Sequence, residues 1–369
     1  MKLLMTFFIT LLSFQLNAET HTFNTEQYEL KVEQVANGLQ HPWSLEFLPD
    51  GRILVTERPG YLRYVENGEV SKPIRGLPDI KAFGQGGLLD IALDPDFDKN
   101  NTIYLSYAGP GEDGVSTEVV SATLSGQELT NVKRIFVLQE KTETGYHFGS
   151  RLQFDRAGYL YISLGDRGEK ERSQALDDHA GSLIRINKDG SIPADNPFVN
   201  TAGAKPEIYT YGNRNMQGMA MHPVTGDIWT IEHGPQGGDE LNLMIPGTNY
   251  GWPVITYGVN YGIGTKIGEG TEKPGMAQPV HYWVPSIATS GLIFYSSDQF
   301  PKWENNAFVG ALVAGQLARL TIDDNKVIAE ERIFKGEFGR IRDVKQGPDG
   351  AIYFVTDETN GKMYKVSPM

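Results

Sequence analysis

One phrase, a tight turn followed by a short run of strand-forming residues, recurs six times and limits what this chain can fold into. "LPDGRILVTE" starts at Leu48, "LDPDFDKNNTIYLSY" at Leu93 and "FDRAGYLYISLGD" at Phe154. "MHPVTGDIWTIEHG" starts at Met221, "FPKWENNAFVGAL" at Phe300 as the most degenerate copy, and "GPDGAIYFVTDE" at Gly347. Each copy places Pro, Asp, Asn or Gly in a turn and follows it with β-branched and aromatic residues. The anchors Pro49, Pro95, Arg156, Pro223, Pro301 and Pro348 lie 46 to 78 residues apart, room for a four-stranded antiparallel unit with variable loops. Helical periodicity is weak, and 42 glycines with 20 prolines suit a turn-dense β protein. The expected fold is all-β, a six-bladed β-propeller of four-stranded antiparallel sheets, with residues 19–369 as one domain. A pair of β-sandwiches is the plainer alternative. A propeller brings loops from every blade to one central mouth, but the architecture alone is silent about chemistry.

The chain opens "MKLLMTFFITLLSFQLNA", one Lys ahead of an apolar run that ends in a small residue. Residues 1–18 therefore read as a cleavable secretory signal, too short and wrongly flanked for a membrane span. The rest is expected in the periplasm or secreted, with no membrane span. The net charge is −13, and about −14 once residues 1–18 and their single Lys are removed. So acidic a chain is a poor partner for nucleic acid or an anionic membrane. There are no cysteines, which excludes disulfides and thiolate metal sites.

No Walker motif or G-x-S-x-G elbow appears, and "GIGTKIGEG" near Gly262 lacks the strand-then-helix setting of a dinucleotide site. The candidates lie elsewhere. His147 precedes a strand in which Tyr159, Tyr161 and Ser163 alternate with Leu160, Ile162 and Leu164. A loop entering a blade faces the mouth, where an imidazole titrating near neutrality can act as a general base. A structural or merely exposed histidine is the bland reading. Arg214 and Asn215 stand before another blade strand, offering fixed donors to carboxylates or to a carbonyl that becomes anionic. A loop salt bridge would use the same residues. Arg340 and Arg342, two apart, point the same way and call for an anion, which the acidic surface of the protein could supply and a bound polycarboxylate would supply better. Asp239 and Glu240 sit in a Gly- and Pro-rich stretch that could cage Ca²⁺ with backbone carbonyls, or be a solvated acidic loop.

"GQGGLLDIALDPDF", "HFGSRLQFD", "YGNRNMQGMA", "EHGPQGGDELN", "NYGWP" and "IRDVKQGPDG" resemble, in order, the soluble aldose sugar dehydrogenases of the glucose/sorbosone dehydrogenase family. The resemblance runs from about His41 to Val366. It implies a six-bladed propeller that uses pyrroloquinoline quinone (PQQ) and Ca²⁺ to oxidise an aldose at C1 to its lactone, by hydride transfer to the quinone. Position by position, it implies His147 as catalytic base and Arg214 as the donor at the reactive quinone carbonyl, with Asn215 beside it. Gln85, Tyr261, Arg340 and Arg342 become cofactor contacts. Gly234 and Pro235 become carbonyl ligands of a calcium at the quinone, and Glu240 with the carbonyl of Tyr250 becomes a second, structural calcium site.

Two positions depart from the family pattern. Relatives often carry a lysine after the "GAL" of Gly310 to Leu312, and this chain has none there, so either cofactor affinity is expected to be lower or the backbone amides of Ala311, Leu312 and Val313 make that contact. Tyr146 stands where some glucose-specific members have an acid, against narrow glucose specificity. The sugar preference is expected to rest on the loop from Tyr257 to Gln278. The electron acceptor, a quinone or a cytochrome, is encoded in no motif, and a monomer is expected. The competing readings are a calcium-dependent propeller lactonase and a non-catalytic carbohydrate-binding propeller.

Overall fold

All six repeated turns fall between the first and second strands of a sheet, and six sheets form the blades of a propeller. The structure, a computed structural model, describes residues 19–313 and 315–369; the expected signal segment, residues 1–18, lies outside them. Blade 1 comprises Pro42–Phe47, Ile53–Glu57, Tyr61–Glu66 and Glu69–Val70, and blade 2 comprises Leu88–Leu93, Thr102–Gly111, Gly114–Ser125 and Glu128–Val137. Blade 3 is built from Leu152–Phe154, Leu160–Ser163, Leu183–Ile186 and Ile208–Thr210. Met216–Met221, Ile228–Glu232, Asp239–Leu243 and His281–Trp283 form blade 4, and Thr289–Phe294, Ala307–Ala311, Gln316–Asp323 and Lys326–Ile333 form blade 5. Every neighbouring pair is antiparallel. Blade 6 takes Ile341–Gln346, Ile352–Thr356 and Gly361–Pro368 from the end of the chain and Glu29–Leu39 from its beginning, so the two ends close the ring together. Thr20–Asn24 adds a fifth, outermost strand there.

The apolar residues lie between blades. Leu48, Leu54, Leu88 and Ile103 join blades 1 and 2, and Leu30, Val32, Phe308 and Phe354 join blades 5 and 6. The alternation after Gly158 has the same origin: Leu160 and Ile162 pack toward blade 2, while Tyr161 packs toward blade 4. Both faces of the strand are buried, each against a different neighbour, as stacking of twisted sheets around an axis requires.

The first strands line the axis, and their polar residues close it. The Arg151 guanidinium donates to Asp343 Oδ1 at 2.9 Å and Asp90 Oδ1 at 3.3 Å, and its Nε donates to the Gln217 carbonyl at 2.6 Å. Arg151 is only 4% exposed, and both carboxylates are buried with it. A buried arginine with two acids and two carbonyls (the second belongs to Arg342, 3.3 Å from Nη2) is fully satisfied, which is the condition for a polar group to persist in a core. This plug forms the floor on which the mouth residues stand.

Candidate functional site

His147 lies in the loop joining blades 2 and 3, where His147, Gly149 and Ser150 all have positive φ. The tightness is imposed by the neighbouring strand end: a Cβ on Gly149 would lie 2.7 Å from Leu164 Cα, and one on Gly165 would lie 2.1 Å from the His147 carbonyl oxygen. Two partners hold His147. Its N–H donates to Gln85 Oε1 at 2.9 Å, and its Nδ1 lies 2.5 Å from Asp166 Oδ1. Asp166 is 1% exposed and also accepts the Trp252 indole N–H at 2.8 Å and the Gly168 N–H at 2.8 Å. Burial raises the Asp166 carboxyl, but the His147 bond and the nearby Arg214 charge outweigh it and hold the group below the usual aspartate value. An ionised Asp166 accepts a proton only from Nδ1–H, so the neutral imidazole carries its lone pair on Nε2.

Arg214 and Asn215 enter from the loop before blade 4. The Asp166 N–H donates to the Arg214 carbonyl at 2.8 Å, and Asn215 Oδ1 accepts the Gly149 N–H at 3.1 Å, so this loop is laced to that of His147. The Arg214 guanidinium lies 5.3 Å above the Trp252 ring and donates to the His233 carbonyl at 3.2 Å. Arg214 Nε and Asn215 Nδ2 are buried donors without a partner among the described residues. Buried donors in that condition call for an acceptor from outside the chain.

Beside His147 a cavity of about 230 Å³ opens, lined among others by Trp43, Arg58, Gln85, Gln217, Arg340 and Arg342. Arg340 and Arg342 share one cavity. Arg342 is closed by Asp357, at 2.5 Å from Nη2, and its Nη1 donates to Gln217 Oε1 at 3.2 Å. Burial raises the Asp357 carboxyl, but Arg342 and the His41 ring 2.8 Å away hold it well below the carboxylate range. Burial also pushes the His233 imidazole down to about 4, so the ring is neutral where it lines this cavity, and its Nε2 donates to the Thr289 carbonyl at 2.6 Å.

The amides proposed from the sequence do not fit their role at two positions. The N–H groups of Leu312 and Val313 donate inward, to the carbonyls of Ala288 at 2.9 Å and Ile287 at 3.1 Å, while Ala311 lies within its strand opposite Gln316. Leu312 and Val313 line the cavity wall without offering a free donor. Tyr261 is 68% exposed on a long loop and, like His147, Arg214 and Asn215, is not among the residues lining the cavity.

Among the described residues no three histidine or acidic side chains gather as a ready-made metal cluster. Two carboxylates do meet. Glu232 and Glu240 stand opposite each other on adjacent strands of blade 4 and border a small cleft with Gly234 and Tyr250. Burial raises the carboxyls of both, and for Glu240 the charge of Glu232 adds to it. The side-chain oxygens of Asn213 and Asn242, whose amides bond Glu232, are buried without a donor. Facing carboxylates with spare amide oxygens form a donor set for a hard cation. No N–H among the described residues donates to the carbonyls of Gly234 and Pro235, which leaves both oxygens open.

Asp166, Arg58, Asp357 and Glu232 were not picked out as site residues from the sequence, yet one signal marks all four. Each stands at or just beyond the end of a blade's second strand, where the repeated phrases close in "VTER", "SLGD", "TIEH" and "VTDE". Trp252, from "NYGWP", lies outside the repeats and carries no such mark.

A family model described as Glucose / Sorbosone dehydrogenase matches residues 39–365. Aldose sugar dehydrogenase YliI of Escherichia coli (strain K12) is 46% identical over 346 residues, covering 92% of this chain and 93% of that protein. The crystal structure of the soluble aldose sugar dehydrogenase from Escherichia coli in the apo-form gives a TM-score of 0.90 at 45% identity, over 92% of this chain and 100% of that one. The PQQ-bound form of aldose sugar dehydrogenase from Streptomyces coelicolor gives 0.76 at 27% identity, over 92% of this chain and 98% of that one.

Proposed function

The chain belongs to the glucose/sorbosone dehydrogenase family, and from that membership and its site we propose that it is a PQQ- and Ca²⁺-dependent enzyme oxidising aldoses at C1 to the lactone. The observation that carries this reading is the His147–Asp166 pair beside a cavity whose charged lining is three arginines and one aspartate. When bound, the quinone would supply the hydride acceptor and Ca²⁺ the Lewis acidity.

The chain's own residues do the rest. His147 Nε2 takes the proton of the anomeric hydroxyl, and Asp166 stabilises the imidazolium that results while keeping the ring in one tautomer. Arg214 and Asn215 offer their unpartnered donors to the cofactor, and Arg340 and Arg342 hold its carboxylates. Gln85 fixes the backbone of the base. Gly234 and Pro235 would present their carbonyls to the ion at the cofactor, and Glu240 with Tyr250, joined by Glu232, would hold a second one. Tyr261 would reach this group only through its loop.

The wider assignment is a monomeric enzyme exported to the periplasm or beyond, with residues 19–369 as its catalytic domain. It would pass electrons to a quinone or a cytochrome. The test is dye reduction by the purified protein with glucose and other aldoses, with PQQ and Ca²⁺ added or withheld. Activity only when both are present supports the reading; equal activity without the quinone contradicts it.

A further inference from the structure

Arg58 was drawn into no role above, yet it stands in the wall of the central cavity. It follows the second strand of blade 1, and its backbone is fixed on both sides: its N–H donates to the His41 carbonyl at 3.0 Å, and its carbonyl accepts the Leu88 N–H at 3.2 Å. Gly87 presses against the same carbonyl so closely that a Cβ there would lie 1.8 Å from it. The side chain is therefore launched from a platform with little freedom to shift. Of its five donors, one is used, Nη1 to the Gly84 carbonyl at 2.7 Å. Among the described residues no carboxylate lies within ion-pair distance of it.

Arg340, from the neighbouring blade, is in the same condition, with one carbonyl contact to Leu312 at 3.4 Å and no ion pair among the described residues. Asp357 is already engaged by Arg342 and His41. The cavity thus holds two guanidinium groups without an ion-pair partner among the described residues, although the protein as a whole carries −13. The one acid in the cavity wall, Asp357, is turned to Arg342 and His41. Like charges on one wall repel unless an anion lies between them.

We propose that Arg58 and Arg340 together form a carboxylate-binding subsite on the side of the cavity where blades 1 and 6 meet, taking one carboxylate of a polycarboxylate cofactor. This rests on the function proposed above and adds to it a binding residue from blade 1. The planar fork of Arg58 would also tie the ligand to the Gly84–Gln85 loop, and through Gln85 to the base.

The test is an equilibrium titration of the full-length protein with PQQ at saturating Ca²⁺, followed by protein fluorescence and quinone absorbance. It compares wild type, Arg58→Gln and Arg58→Lys, each at several salt concentrations. Arg58→Gln should weaken binding by roughly tenfold or more and flatten its salt dependence, and Arg58→Lys should recover much of both. Wild-type and Arg58→Gln proteins with the same affinity and salt dependence would overturn the proposal. So would weak binding that Lys does not restore, together with a lowered melting temperature in both variants, because Arg58 would then only be holding the Gly84 loop. A wild-type protein that binds no PQQ at all would overturn the parent reading, and this one with it.

Discussion

Asp166 and His147 are joined through Oδ1 and Nδ1 at 2.5 Å, and the carboxylate that makes this contact is anchored on its other oxygen by the Trp252 indole. The arrangement is directional. A buried ionised acid selects the Nδ1–H tautomer and leaves Nε2 as the base, while the indole prevents the carboxylate from rotating away. Tyr146, which stands in the place of a possible acidic neighbour, has its ring centroid 6.1 Å from that of His147.

Asp166→Asn should therefore retain PQQ yet lower turnover by roughly 10²–10⁴-fold, since an amide can present N–H to Nδ1 and hold the wrong tautomer. Steady-state kinetics beside a quinone-binding titration check this. Unchanged turnover would remove Asp166 from the mechanism.

Gly165 tests the same loop through sterics. A methyl group there would meet backbone atoms of His147, at 2.1 Å from O and 2.5 Å from C, and neither can yield without moving the base. Gly165→Ala should cost on the order of 10²-fold in turnover, as a displacement of about 1 Å does.

Much of this was legible in the sequence because propeller hairpins are local. The turns at Pro49, Pro95 and Pro348 are punctuated by residues that suit a reversal, and strand-forming runs follow at once. The positions of His147 and Arg214, in loops that enter blades, and of Arg342, in the first strand of blade 6, follow from the same repeat pattern. Asp166 was harder: its strand was read, but its partner is 19 residues earlier and meets it only when the two loops close. The Leu312 and Val313 amides were misjudged because sequence does not show that the carbonyls of Ala288 and Ile287 take them first. The loop bearing Trp252 and Tyr261 follows no repeat, so nothing in its pattern separates the buried indole from the exposed phenol.

The facing Glu232 and Glu240 carboxylates predict that metal is part of the fold. A chelator should lower the wild-type melting temperature by several degrees, and added Ca²⁺ should restore it. Glu240→Gln should melt lower than wild type without chelator and respond less to it. Thermal unfolding with and without chelator decides this.

Glu330 links the outer strands of blades 4 and 5, lying 3.4 Å from His281 and 2.8 Å from Arg332. Burial raises its carboxyl, but the His281 and Arg332 contacts and the Arg332 charge outweigh it and bring the group down to about 2. A carboxylate lowered in the folded state stabilises at pH values above the ordinary glutamate range, and the contribution is lost as pH falls toward the folded value. Chemical unfolding of wild type and Glu330→Gln should therefore differ most at neutral pH and converge from roughly pH 5 to pH 2. A constant difference across that window would contradict it.

The central claim, that His147 takes the proton as the sugar is oxidised, is tested most directly by rapid mixing of an aldose with quinone-loaded protein, following reduction of the bound quinone. Wild type should reduce it quickly, and His147→Ala, equally loaded with PQQ and Ca²⁺, should do so roughly 10²–10⁴-fold more slowly. Equal rates in the two proteins would contradict the account.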